Sequence, residues 1–559
     1  MCRKITSLLL ASVMAMSMLA GCSDGNNDNN ENTTEKETST NVADMTPEEY
    51  FGVDGWAAQE KVIDDNYRNY YQIFVYSFAD SDGDGIGDFN GITSKLDYIK
   101  ELGFNGIWLS PIHQSTTYHK YDVVDYYTID KEYGTMDDFD NFMAECEKRG
   151  IKVILDLVFN HTSTKHEWFT KATKYLRSLE PGQEPDLDEC PYVGYYNIVK
   201  SEDAKTKFYK ITYSDYSYEG QFWDQMPDLE LSNPAVRTEI EKVAKFWIDK
   251  GVGGFRLDAA KEFYTGSTDR NVEVLKWFTD YIKSVDKDLY LVAEVWDSYG
   301  TIKNYYESGI TSIFDYAYGG SGGKIMVAVN TAGKGNGTSG SSLAKDMVDT
   351  QNGYLGANPD MINAPFLSNH DCGRIAGFSQ RKIGKAKIAG ALNVFMSGSS
   401  FTYYGEEIGM AGAGKDENLR APMYWSDFAG AEGLCSGPPA MEEVKHSFGS
   451  LESQKKDKFS LYWYYRNAFH LKSVYPEIAR GLVEAVEVED GDVCAIKKTY
   501  NGETIYLLFN LKAEATTVTL SKDKHSYTGL VGALEIDENK VTMEGETVKL
   551  PAYGVAVIK

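Results

Sequence analysis

The chain has 559 residues, enough for two or three domains rather than a single core. Its formal charge is −27 with no basic tract to offset it, which argues against a polyanionic partner such as nucleic acid. Most of the 39 Tyr and 9 Trp must be core, and composition does no more than permit flat faces for stacking on sugar rings.

Residues 1–21 read as a secretory signal. Arg3 and Lys4 precede an apolar run from Leu8 to Ala20 that is short for a membrane span. The run ends in LAGC (19–22), which is similar to the bacterial lipobox, so Cys22 is the expected lipidation site. An uncleaved anchor is the alternative, and it exports the chain too. Residues 22–47 are rich in Asn, Asp, Glu and Thr and almost free of apolar residues, which predicts a lipid anchor followed by a disordered tether. The expected location is the cell surface, with membrane contact through the lipid alone. Of seven cysteines, the five beyond Cys22 are widely spaced with no CxxC pair, so neither zinc nor a dense disulfide framework is expected, and at most one disulfide.

From residue 70 onward apolar runs alternate with helical patterns. Eight strands are predicted at 70–78, 103–111, 153–159, 253–259, 289–296, 311–318, 364–370 and 400–407. Helices are predicted at 92–102 and 233–251; in the second, Val236, Ile240, Val243, Ala244 and Trp247 recur at helical spacing behind Pro234. Eight β-then-α units between residues 48 and 479 predict an α/β fold, a (β/α)8 barrel. A polar, Tyr-rich excess at about 162–232 predicts a small domain inserted after the third strand. The Gly/Ser-rich stretch 319–342 reads as a mobile loop or a second small insertion. Runs such as VCAIKKTY and TIYLLFNL, separated by turn signals, predict a C-terminal antiparallel β-sandwich over 480–559.

Just after the first strand, DSDGDGIGD (80–88) has the spacing of a calcium loop. Asp80, Asp82, Asp84, the Ile86 carbonyl and Asp88 fall at positions 1, 3, 5, 7 and 9, with Gly85 at the sharp turn. Gly91 stands where an EF-hand has its bidentate Glu, and a strand precedes the loop, so the expected Ca2+ site is structural and not an EF-hand.

Four stretches end apolar runs in reactive side chains: ILDLVFNH (154–161), GFRLDAAK (254–261), LVAEVW (291–296) and APFLSNHD (364–371). Carboxyl ends of barrel strands are where such folds build active sites. A lone Asp at a strand end is usually a helix cap, but Asp156, Arg256, Asp258, Glu294, His370 and Asp371 together suit acid/base and nucleophilic chemistry. Asp122 and Asn160 fit a loop-supporting role equally well.

These segments resemble the α-amylase family of glycoside hydrolases from about residue 68 to the end. DLVFNH, GFRLDAAKE, EVW and FLSNHD stand in the family's order, joined by MPDLE (226–230), YYGEEIGM (403–410) and DENLRAPMYW (416–425). The resemblance implies Asp258 as nucleophile, Glu294 as acid/base and Asp371 as the carboxylate gripping sugar hydroxyls. It also implies sugar contacts from His161 and His370, a stacking Tyr121, an Asp156 that orients Arg256, and Lys261 beyond the scissile bond. Retention needs the two working carboxyls about 5–5.5 Å apart. Arg256 is expected to keep Asp258 ionised, and burial with neighbouring carboxylates to raise the pKa of Glu294. Ala259 and Lys261 favour α-1,4 cleavage of starch or maltooligosaccharides, while Glu262 in place of a usual His and the MPDLE form point to a branch between amylases, oligo-1,6-glucosidases and neopullulanases. The alternatives are an α-glucosidase, neopullulanase or transglycosylase on short maltodextrins, and, more remotely, a non-catalytic starch-binding lipoprotein. A monomer is expected.

Overall fold

The computed structural model describes residues 65–335 and 337–559. The expected signal, Cys22 and tether lie outside the described residues. Seven parallel strands form the barrel sheet: β1 (Asn69–Ile73), β2 (Gly106–Leu109), β3 (Lys152–Leu157), β4 (Gly254–Leu257), β5 (Tyr290–Ala293), β6 (Ser312–Ile313) and β7 (Ser400–Tyr403). Their order is β6-β5-β4-β3-β2-β1-β7. The predicted strand at 364–370 closes the ring only through isolated parallel bridges, Phe314 with Ala364 and Phe366 with Phe401. Pro365 between them has no amide hydrogen, so a regular ladder cannot form there. The result is a (β/α)8 barrel whose closing strand is irregular.

The barrel interior is aromatic. Tyr70, Trp108, Tyr290, Phe314, Phe366 and Phe401 share one buried cluster with Ile154 and Val292. The Tyr70 ring stacks on Tyr290 at 5.1 Å and on Phe401 at 4.8 Å. This plug fills the barrel below the reactive strand ends. In the parallel register Asp156 on β3 pairs with Arg256 on β4, and Arg256 with Val292 on β5. Side chains alternate along a strand, so Asp156 and Arg256 point to the same side of the sheet.

The helix Pro234–Asp249 buries the five predicted apolar residues and is capped by Asn233, whose side chain accepts from Ala235 N. The predicted helix at 92–102 is two, Phe89–Ser94 and Leu96–Leu102, meeting at Lys95. The insertion holds the helix Glu167–Leu176 and a small antiparallel sheet of Ile198–Lys200, Phe208–Lys210 and Tyr216–Glu219. It rejoins the barrel where His161 bridges Asp228.

The stretch 319–342 is not a loop. It carries the helix Lys324–Thr331 and the start of Ser339–Ala357. Its glycines signal close approach as well as freedom: a Cβ on Gly340 would lie 2.2 Å from the Val493 carbonyl carbon.

Beyond Leu482 a five-stranded and a three-stranded antiparallel sheet face each other. Alternation along the five-stranded sheet sends Val493, Ala495, Leu508, Ala556 and Ile558 into the sandwich. It sends Cys494, Ile496, Leu507, Val555 and Val557 into the core shared with the barrel. Cys146, Cys190, Cys372, Cys435 and Cys494 are free thiols.

Candidate active site

One guanidinium organises the strand ends. Arg256, 1% exposed, donates from Nη1 to Asp156 Oδ1 at 2.7 Å and Asp258 Oδ1 at 2.5 Å, and from Nη2 to Glu294 Oε2 at 2.7 Å. Its carbon lies 5.3 Å from the Trp108 ring centroid. Ala259 adopts φ 47°, left-handed and strained for a residue with a Cβ, and thereby donates its N–H to Glu294 Oε2 at 3.0 Å. Sequence reasoning saw Ala259 only as a specificity marker.

One cation faces three buried carboxyls here, so charge does not balance. Burial pushes Asp258 well above the usual carboxylate range; Arg256 pulls it down, while Glu294 and Asp156 push it further up. Asp156 is raised by burial as well, against Arg256. The expectation that Arg256 keeps Asp258 ionised is therefore corrected for the substrate-free protein: desolvation outweighs the guanidinium.

A second chain of contacts runs from β1 to Asp371. Gln72 Nε2 lies 2.8 Å from His370 Nδ1, which leaves the ring proton on Nε2. That nitrogen is 2.6 Å from Tyr121 Oη and 3.0 Å from Asp371 Oδ2. Tyr121 donates to Asp156 Oδ2 at 3.0 Å and lies parallel to the His370 ring at 5.5 Å. Arg420 donates from Nη2 to Asp371 Oδ1 and from Nη1 to the Tyr118 hydroxyl, both at 2.9 Å. Burial pushes Asp371 up, but His370 and Arg420 outweigh it and hold the carboxyl well below its usual range. Asp258 and Asp371 are thus driven in opposite directions by their different partners.

Residues 72–481 match the family model for the alpha-amylase catalytic domain. The chain belongs to the alpha-amylase family. It is 37% identical over 467 residues to Alpha-amylase 3 of Dictyoglomus thermophilum, covering 82% of this chain and 87% of that one. It is 31% identical to a 4-alpha-glucanotransferase of Thermotoga maritima, over 70% of this chain and 84% of that one. The solved structure of Eubacterium rectale Amy13B superposes with a TM-score of 0.87 at 42% identity, covering 90% of this chain and 97% of that one. This chain is accordingly a glycoside hydrolase of the alpha-amylase family.

Two expected sugar contacts are already engaged in this glycoside hydrolase. His161 Nε2 donates to the Tyr121 carbonyl at 3.2 Å, its Nδ1 lies 3.3 Å from Asn160 Nδ2, and burial lowers it to about 4. Lys261 pairs with Asp297 Oδ2 at 3.0 Å and reaches the Trp296 carbonyl at 3.4 Å, so it clasps the segment that follows Glu294. Asp122 has the loop-supporting role: buried, it accepts from the hydroxyls of Ser115, Thr116 and Thr117.

Gln72, Trp108, Arg420 and Tyr316 were not singled out from the sequence. Arg420 lay inside a quoted motif, and Gln72 is the one amide in the run YYQIFVY. In MPDLE, Asp228 is pushed up to about 8, by burial first and Glu219 second, and its Oδ1 is buried without a hydrogen-bond partner.

In the acidic loop, oxygens of Asp80, Asp82 and Asp88 lie within 4.8 Å of one another. Asp84 stands outside that group, its Oδ1 accepting from Ile86 N at 2.7 Å. Gly85 makes the expected turn at φ 92°, and its carbonyl accepts from Ser436 N at 2.7 Å. Three converging carboxylates fit a hard, oxygen-seeking cation such as calcium.

Proposed function

We propose that this enzyme is an α-amylase that cleaves α-1,4-glucosidic bonds within starch or maltooligosaccharides, with retention. The observation that carries the proposal is that Asp258 and Glu294 are held by the two nitrogens of one guanidinium. Both carboxyls are therefore held close together, as the nucleophile and proton donor that flank one scissile bond in double displacement must be. In the reactive form the pair's proton rests on Glu294 and the charge on Asp258, against Arg256 Nη1. Asp258 attacks the anomeric carbon while Glu294 gives its proton to the departing glycosidic oxygen. Glu294 then takes a proton from water, which displaces Asp258 from the glycosyl–enzyme. Asp371 and His370 hold sugar hydroxyls, Tyr121 borders the same sugar, and Asp156 orients Arg256.

Ala259 and Lys261 support the α-1,4 choice. Glu262 and MPDLE support a branch near the oligo-1,6-glucosidases and neopullulanases. A calcium ion held by Asp80, Asp82 and Asp88 would cross-link the loop behind β1 and serve stability. LAGC supports export with a lipid on Cys22, placing the enzyme at the cell surface. Reducing-sugar release from soluble starch, with Glu294→Gln as control, tests the activity: no excess over the control refutes it. Maltoheptaose digestion tests the endo assignment, since glucose as sole product from the first time points would make the enzyme an α-glucosidase.

A further inference from the structure

The proton donor has one oxygen unaccounted for by the strand-end motifs. Glu294 Oε2 already accepts from Arg256 Nη2 at 2.7 Å and Ala259 N at 3.0 Å. Two donors occupy its acceptor sites, so a proton carried by Glu294 must sit on Oε1. The Tyr316 hydroxyl donates to Oε1 at 3.3 Å. Tyr316 follows β6 and is not part of any strand-end motif read from the sequence.

The direction of that hydroxyl is fixed from behind. Asn369 Nδ2 donates to Tyr316 Oη at 3.4 Å, while Asn369 Oδ1 accepts from Asp371 N at 2.9 Å and Cys372 N at 2.7 Å. With a donor at its back, the Tyr316 proton turns to Glu294. The ring has a second task. It lies nearly parallel to the Trp296 indole, 5.3 Å between centroids and 15° between planes, and edge-on to Phe366 at 4.9 Å. Trp296 is 51% exposed two residues after the proton donor, and the Lys261–Asp297 pair clasps its backbone. An exposed indole backed by a half-buried aromatic is a rigid face suited to a sugar ring.

We infer that Tyr316 is a positioning residue shared by two parts of the reaction: its hydroxyl orients Glu294 Oε1 for proton donation, and its ring backs Trp296 as the platform for the departing sugar. This rests on the retaining mechanism proposed above. When Glu294 gives its proton to the glycosidic oxygen, negative charge appears on Oε1, and the hydroxyl at 3.3 Å is placed to stabilise it.

The test compares leaving groups. A sugar must be protonated as it departs; 2,4-dinitrophenolate need not be. Tyr316→Phe keeps the ring and removes the hydroxyl. It should lower kcat/KM on maltoheptaose, which reports the glycosylation step, about five- to tenfold, the worth of one such hydrogen bond, and change kcat/KM on 2,4-dinitrophenyl α-maltotrioside less than twofold. Tyr316→Ala also removes the support of Trp296, and should raise KM for maltoheptaose and shift its cleavage pattern, neither of which Tyr316→Phe does. Equal losses on both substrates in Tyr316→Phe would mean a purely structural role, and no loss on either would mean no role; each overturns the inference. A wild-type protein that cleaves neither substrate would refute the parent mechanism itself, and this inference with it.

Discussion

Replacing Arg256 with Met tests the charge arrangement most directly, because the volume stays similar while the cation that touches three carboxyls is removed. The side chains of Asp156, Asp258 and Glu294 are 0%, 9% and 12% exposed. A single charge pair about 4 Å apart is worth about 4 kcal/mol at an effective dielectric near 20. Losing the shared guanidinium therefore leaves carboxylates that cannot stay charged, and they take up protons in the folded state. Their folded pKa values then stand above the unfolded ones, so the folded variant binds more protons than the unfolded chain. Its stability must fall as pH rises from about 4 toward those raised pKa values. The expected deficit against wild type is about 3–5 kcal/mol at pH 8, the usual cost of breaking a buried pair, and it should shrink steadily toward pH 4. Urea-unfolding midpoints of both proteins at pH 4.5, 6 and 8 measure it, with activity on maltoheptaose lost at least about a hundredfold. A deficit that does not vary with pH would refute the reasoning.

Glu406 lies fully buried, bonded to the Ser368 hydroxyl and to Tyr465 Oη at 3.1 Å; burial raises it to about 7 despite these donors. Wild-type stability should accordingly fall between about pH 4.5 and 7 by at most roughly 3 kcal/mol. Glu406→Gln should thus be the more stable protein at pH 8 but not at pH 4, and a pH-independent difference in melting temperature would contradict this. Chelation should lower the melting temperature of the purified enzyme but not of Asp80→Ala; an unchanged curve and no bound metal would remove the calcium assignment. Gly340→Val should destabilise by about 1–3 kcal/mol through overpacking against Val493, and a wild-type melting curve would show that this contact yields freely.

The strand ends were legible because chemistry-bearing residues closed apolar runs, a signal carried along one segment. What the sequence hid was contact between segments. Gln72 reaches His370 across 298 positions, and Arg420 reaches Asp371 from outside any strand. Tyr316 looked like one more aromatic in TSIFDYAY until folding set it against Glu294. The stretch 319–342 was misread because glycine signals both loop freedom and close packing, and periodicity alone does not separate the two. Pro365 could have warned that the seventh strand would be irregular. The balance between burial and Arg256 at Asp258 depends on three carboxyls meeting, which no single motif contains.

The last strand of the chain, Val555–Ile558, lies inside the five-stranded sheet, between Glu503–Asn510 and Leu530–Leu534. Val555 and Val557 enter the core shared with the barrel, while Ala556 and Ile558 enter the sandwich. This one strand is therefore the seam between two cores. Without it the sheet would have an open edge in its middle and the barrel would lack part of one wall. A change at Val557 is thus felt by the barrel, and one at Ala556 by the sandwich.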